Sequence, residues 1–426
     1  MNSDVLVVGA GPAGLAAAYR AASEGVRVAV VDDNPSSGGQ IWRGEENKPT
    51  SREAQTWLER IRSVNIHFIR GARIFQQTHP GTVLAETAQD VVELNYTNLI
   101  LATGARERFL PFPGWTLPNV MGAGGLQALV KTGLPIAGKK VVVAGTGPLL
   151  LAVAAYLSDQ RADVLLIAEQ ASSLKLAKFG LALLGAGKSA QAFELKQRLK
   201  TVKYLNGCWP MAAHGSEKLD SVTLNRAGKR WQIACDYLAC GFFLVPNLEL
   251  AELLGCKVKN GAVSVHQFQQ TTVPQVYAAG EATGIGGLEL SLVEGEIAGL
   301  AAAGKHDAAQ RLFAVREKQQ RFSRVLNETF ALREELRDLP AGETIVCRCE
   351  DVAFESLRAH DSWRAAKLQT RCGMGPCQGR VCGAAVEFLF GWHVASVRPP
   401  IFPVRVESIS YANELARRDA GDDHRL

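Results

Sequence analysis

The chain has 426 residues, 47% hydrophobic and 21% charged, which calls for several packed domains and excludes a disordered or fibrous protein. Its net charge of +5 reads as spread along the chain without a basic block, so it gives no ground for a nucleic-acid partner. Nine cysteines, an odd number without a secretory leader, point to a reducing compartment rather than a disulfide framework.

Met1 leads straight into an apolar strand, so no targeting segment is expected. The most apolar run, Val141 to Leu157, contains Gly145, Thr146, Gly147 and Pro148, and so reads as strand, turn and helix rather than a membrane span. A cytoplasmic protein is expected.

Asp4 to Val8 predicts a buried strand, followed at once by Gly9-Ala10-Gly11-Pro12-Ala13-Gly14 and an alanine-rich helix. The three glycines serve a tight turn, close approach of backbone to a pyrophosphate, and close packing of helix on strand. The helix N-terminus then receives the phosphate charge. A second strand, Val26 to Val31, ends at Asp32 and the adjacent Asp33, where a carboxylate can accept hydrogen bonds from a ribose.

With Gly38-Gly39-Gln40 this N-terminal unit resembles the FAD domain of two-dinucleotide-binding flavoproteins, the class that includes the disulfide reductases. The resemblance extends to Leu99 to Gly104, with Ala102, Thr103 and Gly104 closing the first lobe. It also extends to Val276 to Glu281, where Gly280 precedes the acid that would hold the FAD ribityl chain. That acid is usually Asp, so Glu281 is a departure. Gly284 to Gly287 opens a helix whose positive end would face negative charge developing on the flavin.

Lys139 to Ala144 and Gly145-Thr146-Gly147-Pro148 repeat the grammar of the first unit, and the next strand, Asp163 to Ile167, ends near Glu169. Leu150 stands where a third glycine would be expected. Gly145 and Gly147 therefore mark either a second nucleotide site, of the NAD(P) type, or a unit kept for packing. Gly187-Lys188-Ser189 is a fragment of a phosphate-binding loop in the wrong context, helix rather than strand preceding it. Cys208, Cys235, Cys240 and Cys256 have no paired spacing and read as small buried hydrophobes. No redox Cys-x-x-Cys or Cys-x4-Cys lies near either glycine turn, so disulfide reduction is not expected. His214, His266 and His306 are isolated from one another and read as satisfied or solvated.

Arg311 to Leu339 predicts an amphipathic connecting helix stopped by Pro340. Beyond it, Cys347-Arg348-Cys349 sits on a strand-like entry, two helical stretches follow, and Cys377-Gln378-Gly379-Arg380-Val381-Cys382 opens a further helix near Cys377. Cys347, Cys349, Cys377 and Cys382 form a soft four-sulfur set suited to iron–sulfur or to zinc. Cys372 lies just outside the second pair and is expected to be a bystander.

This C-terminal module resembles the [2Fe-2S] domain named after bacterioferritin-associated ferredoxin. With the flavoprotein body, with Gly241 to Leu250, Thr370 to Arg380 and Arg398-Pro399-Pro400, the chain resembles the large subunit of bacterial heteromeric amino-acid dehydrogenases. That family includes opine oxidases, hydrogen cyanide synthase, and proline and hydroxyproline dehydrogenases, and more distantly the sarcosine oxidase alpha subunit.

The resemblance implies an α/β fold: a Rossmann-like FAD domain with an inserted NAD(P)-like Rossmann domain, and a small, mostly helical [2Fe-2S] domain. The expected boundaries are 1–108 and 246–310 for the FAD domain, 109–245 for the insert, 311–340 for the linker helix, 341–395 for the cluster domain and 396–426 for a tail. It further implies FAD and a [2Fe-2S] cluster in this chain, FMN at the interface with a D-amino-acid-oxidase-like beta subunit, and a small third subunit. The amine, with D-hydroxyproline or a related proline or opine the best expectation, would be oxidised in the partner. Electrons would pass via FMN, the cluster and FAD. The location would be cytoplasmic, with association at the cytoplasmic face of the inner membrane. No acid, base or nucleophile constellation for substrate chemistry stands out beyond the cofactor motifs.

Two other readings remain: a self-contained NAD(P)H-dependent FAD/[2Fe-2S] oxidoreductase, and a non-catalytic scaffold with zinc in the cysteine clasp.

Overall fold

The computed structural model describes residues 1–46, 51–186, 188–393 and 397–419. Gly187 of the phosphate-loop-like run, and residues 396 and 420–426 of the expected tail, lie outside the described residues. The chain divides into two compact units. The first comprises Met1–Ala105, Pro246–Ser323 and the C-terminal helix Val406–Asp419; the second comprises Arg106–Val245 and Arg324–Ala395.

In the first unit, β1 (Asn2–Val8) pairs in parallel with β2 (Val28–Asp32) on one side and β6 (Val91–Leu101) on the other, and β3 (Ile66–Arg70) extends the sheet beyond β2. β4 (Arg73–His79) and β5 (Thr82–Glu86) add an antiparallel edge along the first half of β6. The second half of β6 receives the strand Val276–Ala278 in parallel, so a distant piece of chain completes the sheet. Val5, Leu6 and Val7 are fully buried, as a strand covered on both faces requires. Helix Pro12–Ser23 follows β1 and lies against helix Leu288–Ala302, where an added Cβ on Gly295 or Gly299 would fall 2.2 Å from the Ala13 or Ala17 carbonyl oxygen. The first dinucleotide-type unit is thus closed by chain from near residue 280.

In the second unit, β7 (Val120–Gly122), β8 (Lys140–Thr146), β9 (Asp163–Glu169), β10 (Lys203–Asn206) and β14 (Tyr237–Phe242) form a five-stranded parallel sheet. Its order is β10-β9-β8-β14-β7. Between β10 and β14 lies a three-stranded antiparallel sheet of β11 (Cys208–His214), β12 (Ser221–Arg226) and β13 (Lys229–Ala234). The run Val141 to Leu157 is the end of β8, the glycine turn and helix Pro148–Asp159, as its glycines predict. Among the described residues, no helix is long and apolar enough to cross a membrane.

The connecting helix is shorter than expected. It runs Phe313–Thr329, and a short 3-10 turn, Glu334–Asp338, precedes Pro340. The stop is tertiary. Phe330 is buried edge-on against Phe179, ring centroids 5.0 Å apart, while the Gln170 side chain donates to the Ala331 carbonyl and accepts from the Arg333 N–H. Two backbone groups of the loop that follows the helix therefore have partners.

Candidate flavin cradle and cysteine clasp

The turn after β1 leaves the chain no room for side chains. Gly9 has φ +104° and an added Cβ would lie 2.3 Å from the Ala102 carbonyl oxygen; on Gly14 it would lie 1.8 Å from that of Gly9. Gly11, by contrast, faces only the Cα of Gly39 at 3.9 Å, the open position where a pyrophosphate would approach. Pro12 starts the helix with no side-chain cap, so the helix N-terminus keeps its backbone donors for an anion. Asp32, at the end of β2, accepts from the Ala10 N–H at 2.5 Å and from the Asn34 N–H at 2.7 Å. Asp33 points elsewhere and pairs with Arg73 at 3.1 Å. Gly39 lies against Gly11, and Gln40 is exposed beside it.

Ala102 follows β6 and lies against Gly9, while Thr103 and Gly104 are fastened to Asn247. Thr103 Oγ1 donates to the Asn247 carbonyl at 2.8 Å, the Asn247 amide donates to the Thr103 carbonyl at 2.8 Å, and the Asn247 N–H reaches the Gly104 carbonyl at 3.0 Å. Gly280 opens a short 3-10 turn holding Glu281. Glu281 Oε1 accepts from the Gly287 N–H at 2.9 Å, but Oε2 is buried with no partner. An unsatisfied buried carboxylate oxygen is costly, and a hydroxyl donor from a bound ligand would satisfy it. Burial pushes the Glu281 carboxyl up to about 7, while the Gly287 and Gly286 N–H groups pull the other way.

One further acid was not found by sequence reasoning. Glu294 projects from helix Leu288–Ala302 into the interior, accepting from the Gly280 N–H at 3.0 Å and Thr283 Oγ1 at 2.8 Å. Burial pushes it too up to about 7. The helix carries Glu289, Glu294 and Glu296, so nothing in the sequence alone set Glu294 apart.

The second glycine turn differs. Gly145 packs against the Gly241 backbone and Gly147 lies under the Phe243 ring, while Leu150 is buried in the position of the third glycine. Glu169 ends β9 and accepts from Thr146 Oγ1 at 2.7 Å and the Gly147 N–H at 2.8 Å. The Glu107 carboxylate occupies the start of helix Ala123–Lys131, accepting from Gly124 N–H at 2.9 Å and Gly125 N–H at 3.1 Å. Beyond the carboxyl ends of β9 and β10 lies an open cavity of about 630 Å³, lined in part by Ser172, Asn206, Arg226 and Arg230.

The clasp is built on a hairpin. Ile345–Cys347 pairs antiparallel with Val352–Ala353, and helices Phe354–Arg358 and Trp363–Thr370 carry the chain across to the second set of thiols. The helix after the second pair of thiols, Cys382–Phe390, begins at Cys382, not near Cys377, so Cys382 is the thiol on its N-terminal turn. Val346, Leu357, Trp363 and Val386 pack around the sulfurs. The hairpin is tied to its unit by Trp115 Nε1, which donates to the Ile345 carbonyl at 2.5 Å, and by Arg106 Nε, which donates to the Arg380 carbonyl at 3.1 Å. Gly375 has room for no side chain: an added Cβ would lie 2.3 Å from the Cys349 Cβ.

Among the described residues, the sulfurs of Cys347, Cys372 and Cys382 lie within 4.8 Å of one another, all buried. Cys349 is exposed and Cys377 half-exposed, the two thiols facing each other. The structure therefore gathers two of the four expected ligands, Cys347 and Cys382, and adds Cys372, the expected bystander, while Cys349 and Cys377 face each other outside that buried group. Hydrogen bonds from Cys372 and Cys382 hold the Cys347 thiol well below the usual range. Cys208, Cys235, Cys240 and Cys256 are buried singly. Of the histidines, His214 meets Thr223, His266 meets Gln270, and His306 rests on Phe268.

Two dinucleotide-type parallel sheets, the second inserted into the chain of the first, define a two-domain flavoprotein oxidoreductase with an added cysteine-rich module. The chain belongs to the pyridine nucleotide-disulphide oxidoreductase family, whose sequence profile matches residues 3–306. It is 30% identical to the HcnB component of hydrogen cyanide synthase from Pseudomonas protegens, over 90% of each chain. It is also 30% identical to one subunit of the opine oxidase of Agrobacterium tumefaciens, over 97% of this chain and 92% of that one. In fold it is similar to L-proline dehydrogenase from P. horikoshii, with TM-score 0.65 and 18% identity over 96% of this chain and 79% of that chain. T. acidophilum thioredoxin reductase gives TM-score 0.56 at 22% identity, over 71% of this chain and 98% of that chain. The relatives named as subunits are parts of larger assemblies.

Proposed function

We propose that this chain is the electron-transfer alpha subunit of a heteromeric flavin-dependent amino-acid or imino-acid dehydrogenase. The observation that carries the reading is the coexistence, in one chain, of a flavin cradle with an orphaned ribityl-type acceptor at Glu281 and a cysteine clasp in which the Cys347, Cys372 and Cys382 sulfurs are gathered, without a constellation for amine chemistry among the described residues. FAD and a [2Fe-2S] cluster, when bound, supply the electron-transfer chemistry. The chain contributes placement: Gly9, Gly11 and Gly14 admit the pyrophosphate, Asp32 meets a ribose, and Glu281 takes a ribityl hydroxyl. Cys347, Cys349, Cys377 and Cys382 are the proposed cluster ligands.

A D-amino-acid-oxidase-like beta subunit oxidises the substrate in this reading, D-hydroxyproline or a related proline or opine, with FMN at the interface and a small third subunit completing the assembly. The complex works in the cytoplasm, at the cytoplasmic face of the inner membrane. Iron and acid-labile sulfide analysis of the purified chain tests the cluster. Two irons with sulfide and visible flavin absorbance are expected; zinc without iron and no flavin would instead establish a scaffold.

A second reading, a self-contained NAD(P)H-dependent oxidoreductase, is favoured by the cavity beyond β9 and β10, since open α/β sheets bind ligands at the carboxyl ends of their strands. Leu150, Phe243 and Glu107 crowd the turn where such a cofactor would lay its pyrophosphate.

A further inference from the structure

Helix Ser173–Ala186, between β9 and β10, is apolar on two opposite sides. One side is used: Phe179 is 8% exposed and packs on Phe330. On the other, at the helical repeat of 100° per residue, Leu174, Ala177, Leu181 and Leu184 share a face. Leu174, Leu181 and Leu184 are 68%, 71% and 65% exposed, and Phe193 on the following helix, Ser189–Arg198, is 62% exposed. An isolated exposed leucine is ordinary, but a helical stripe of them marks a surface that something covers.

The charge around the stripe says what. Residues 173–203 carry seven Lys or Arg against one Glu, a net +6 in a chain whose total is +5, which leaves the remaining residues at −1. The excess is therefore not spread along the chain, as it reads in linear sequence. Five of the seven cations, Lys175, Lys178, Lys196, Arg198 and Lys203, lie on the two helices and the start of β10. Lys175, Lys178 and Lys196 are exposed beside the leucines, and Arg198 pairs with Asp159.

A second copy of this chain would bring +6 against +6. A protein partner would ordinarily be met by aromatic residues and Arg, with Lys depleted, whereas six of the seven cations here are Lys. Leucines and a phenylalanine rimmed by lysines fit the boundary of an anionic bilayer, apolar side chains among acyl chains and ammonium groups at the phosphates.

We infer that the exposed faces of helices Ser173–Ala186 and Ser189–Arg198 are a peripheral docking surface for an anionic lipid bilayer. It deepens the membrane-face location in the proposed reading and rests on that clause alone. Binding needs neither flavin nor cluster, so its failure would leave the electron-transfer role standing, and failure of that role would leave this surface standing.

The test is co-sedimentation of the full chain with vesicles of phosphatidylcholine containing roughly a third phosphatidylglycerol, against pure phosphatidylcholine. The wild-type chain should pellet with the anionic vesicles at ~0.1 M salt and be released at ~1 M, where the Debye length shrinks to ~3 Å. Leu181→Ser with Leu184→Ser should weaken binding at least about tenfold, and each of Lys175→Gln and Lys178→Gln about fivefold. All four sites are exposed, so unchanged circular dichroism and thermal midpoint are expected and serve as the folding control. Wild-type chain that stays in the supernatant, or a double leucine variant that pellets equally, overturns the inference. So does wild-type self-association, or capture of a beta subunit, that the leucine substitutions abolish while vesicle binding is absent.

Discussion

The Cys372 sulfur lies 3.9 Å from that of Cys382, closer than the clasp needs for a bystander thiol. Cys-x4-Cys spacing fits Cys377 with Cys382 and equally Cys372 with Cys377, and the chain reverses between Thr370 and Gly375. Arg371 adopts φ +66° and pairs with Glu350 at 2.7 Å, which turns Cys372 inwards beside Cys347. Four ligands and one spare thiol is our assignment, and it makes an asymmetric prediction.

Cys377→Ser should remove the cluster, seen as loss of iron, sulfide and the visible absorbance between the flavin bands, while flavin stays bound. Cys372→Ala should retain the full iron complement. Loss of iron in Cys372→Ala with retention in Cys377→Ser would move the ligand set onto the buried sulfur group and away from the exposed pair.

Glu281 carries the flavin assignment. A buried hydrogen bond to a charged group contributes about 1.5–3 kcal/mol, so Glu281→Ala should weaken flavin retention by roughly ten- to a hundredfold. The readout is flavin-to-protein absorbance after dialysis, with addition of FAD restoring the signal at higher concentration. Full flavin occupancy in Glu281→Ala at limiting FAD would place the ribityl contact elsewhere.

Glu294 gives the flavin-free chain a pH dependence of unusual sign. Its folded pKa, near 7, stands above the ordinary carboxylate value of 4.5 because burial disfavours the charge. The folded state therefore holds the proton more tightly than the unfolded chain. Its contribution is fully present below about pH 4.5 and is lost as pH rises towards 7, at up to about 1.4 kcal/mol per pH unit. Glu294→Gln, which mimics the protonated form, should flatten the fall in thermal midpoint across that window. An unchanged slope would contradict the assignment.

What the sequence makes legible here is local. Strand, glycine turn, helix and acid lie within a few dozen residues of one another, so Gly9 to Asp32 and Gly145 to Glu169 announce their turns without tertiary information. The early stop of the connecting helix is not legible, because it depends on Phe330 meeting Phe179 and on the Gln170 side chain taking two backbone groups. Glu294 is hidden for the same reason: its partners Gly280 and Thr283 are reached only when the helix folds back. The concentration of charge at 173–203 is visible as composition. Its meaning comes from the exposed leucines beside it.

The central claim is that this chain relays electrons taken from an amine by a partner subunit. Anaerobic absorbance titration of the flavin tests it most directly, in the isolated chain and in a complex with a D-amino-acid-oxidase-like partner subunit. The flavin of the isolated chain should stay oxidised with NADH or any amino or imino acid, and should bleach on addition of the amino or imino acid once the partner is present. Stoichiometric bleaching of the isolated chain by NADH would contradict it.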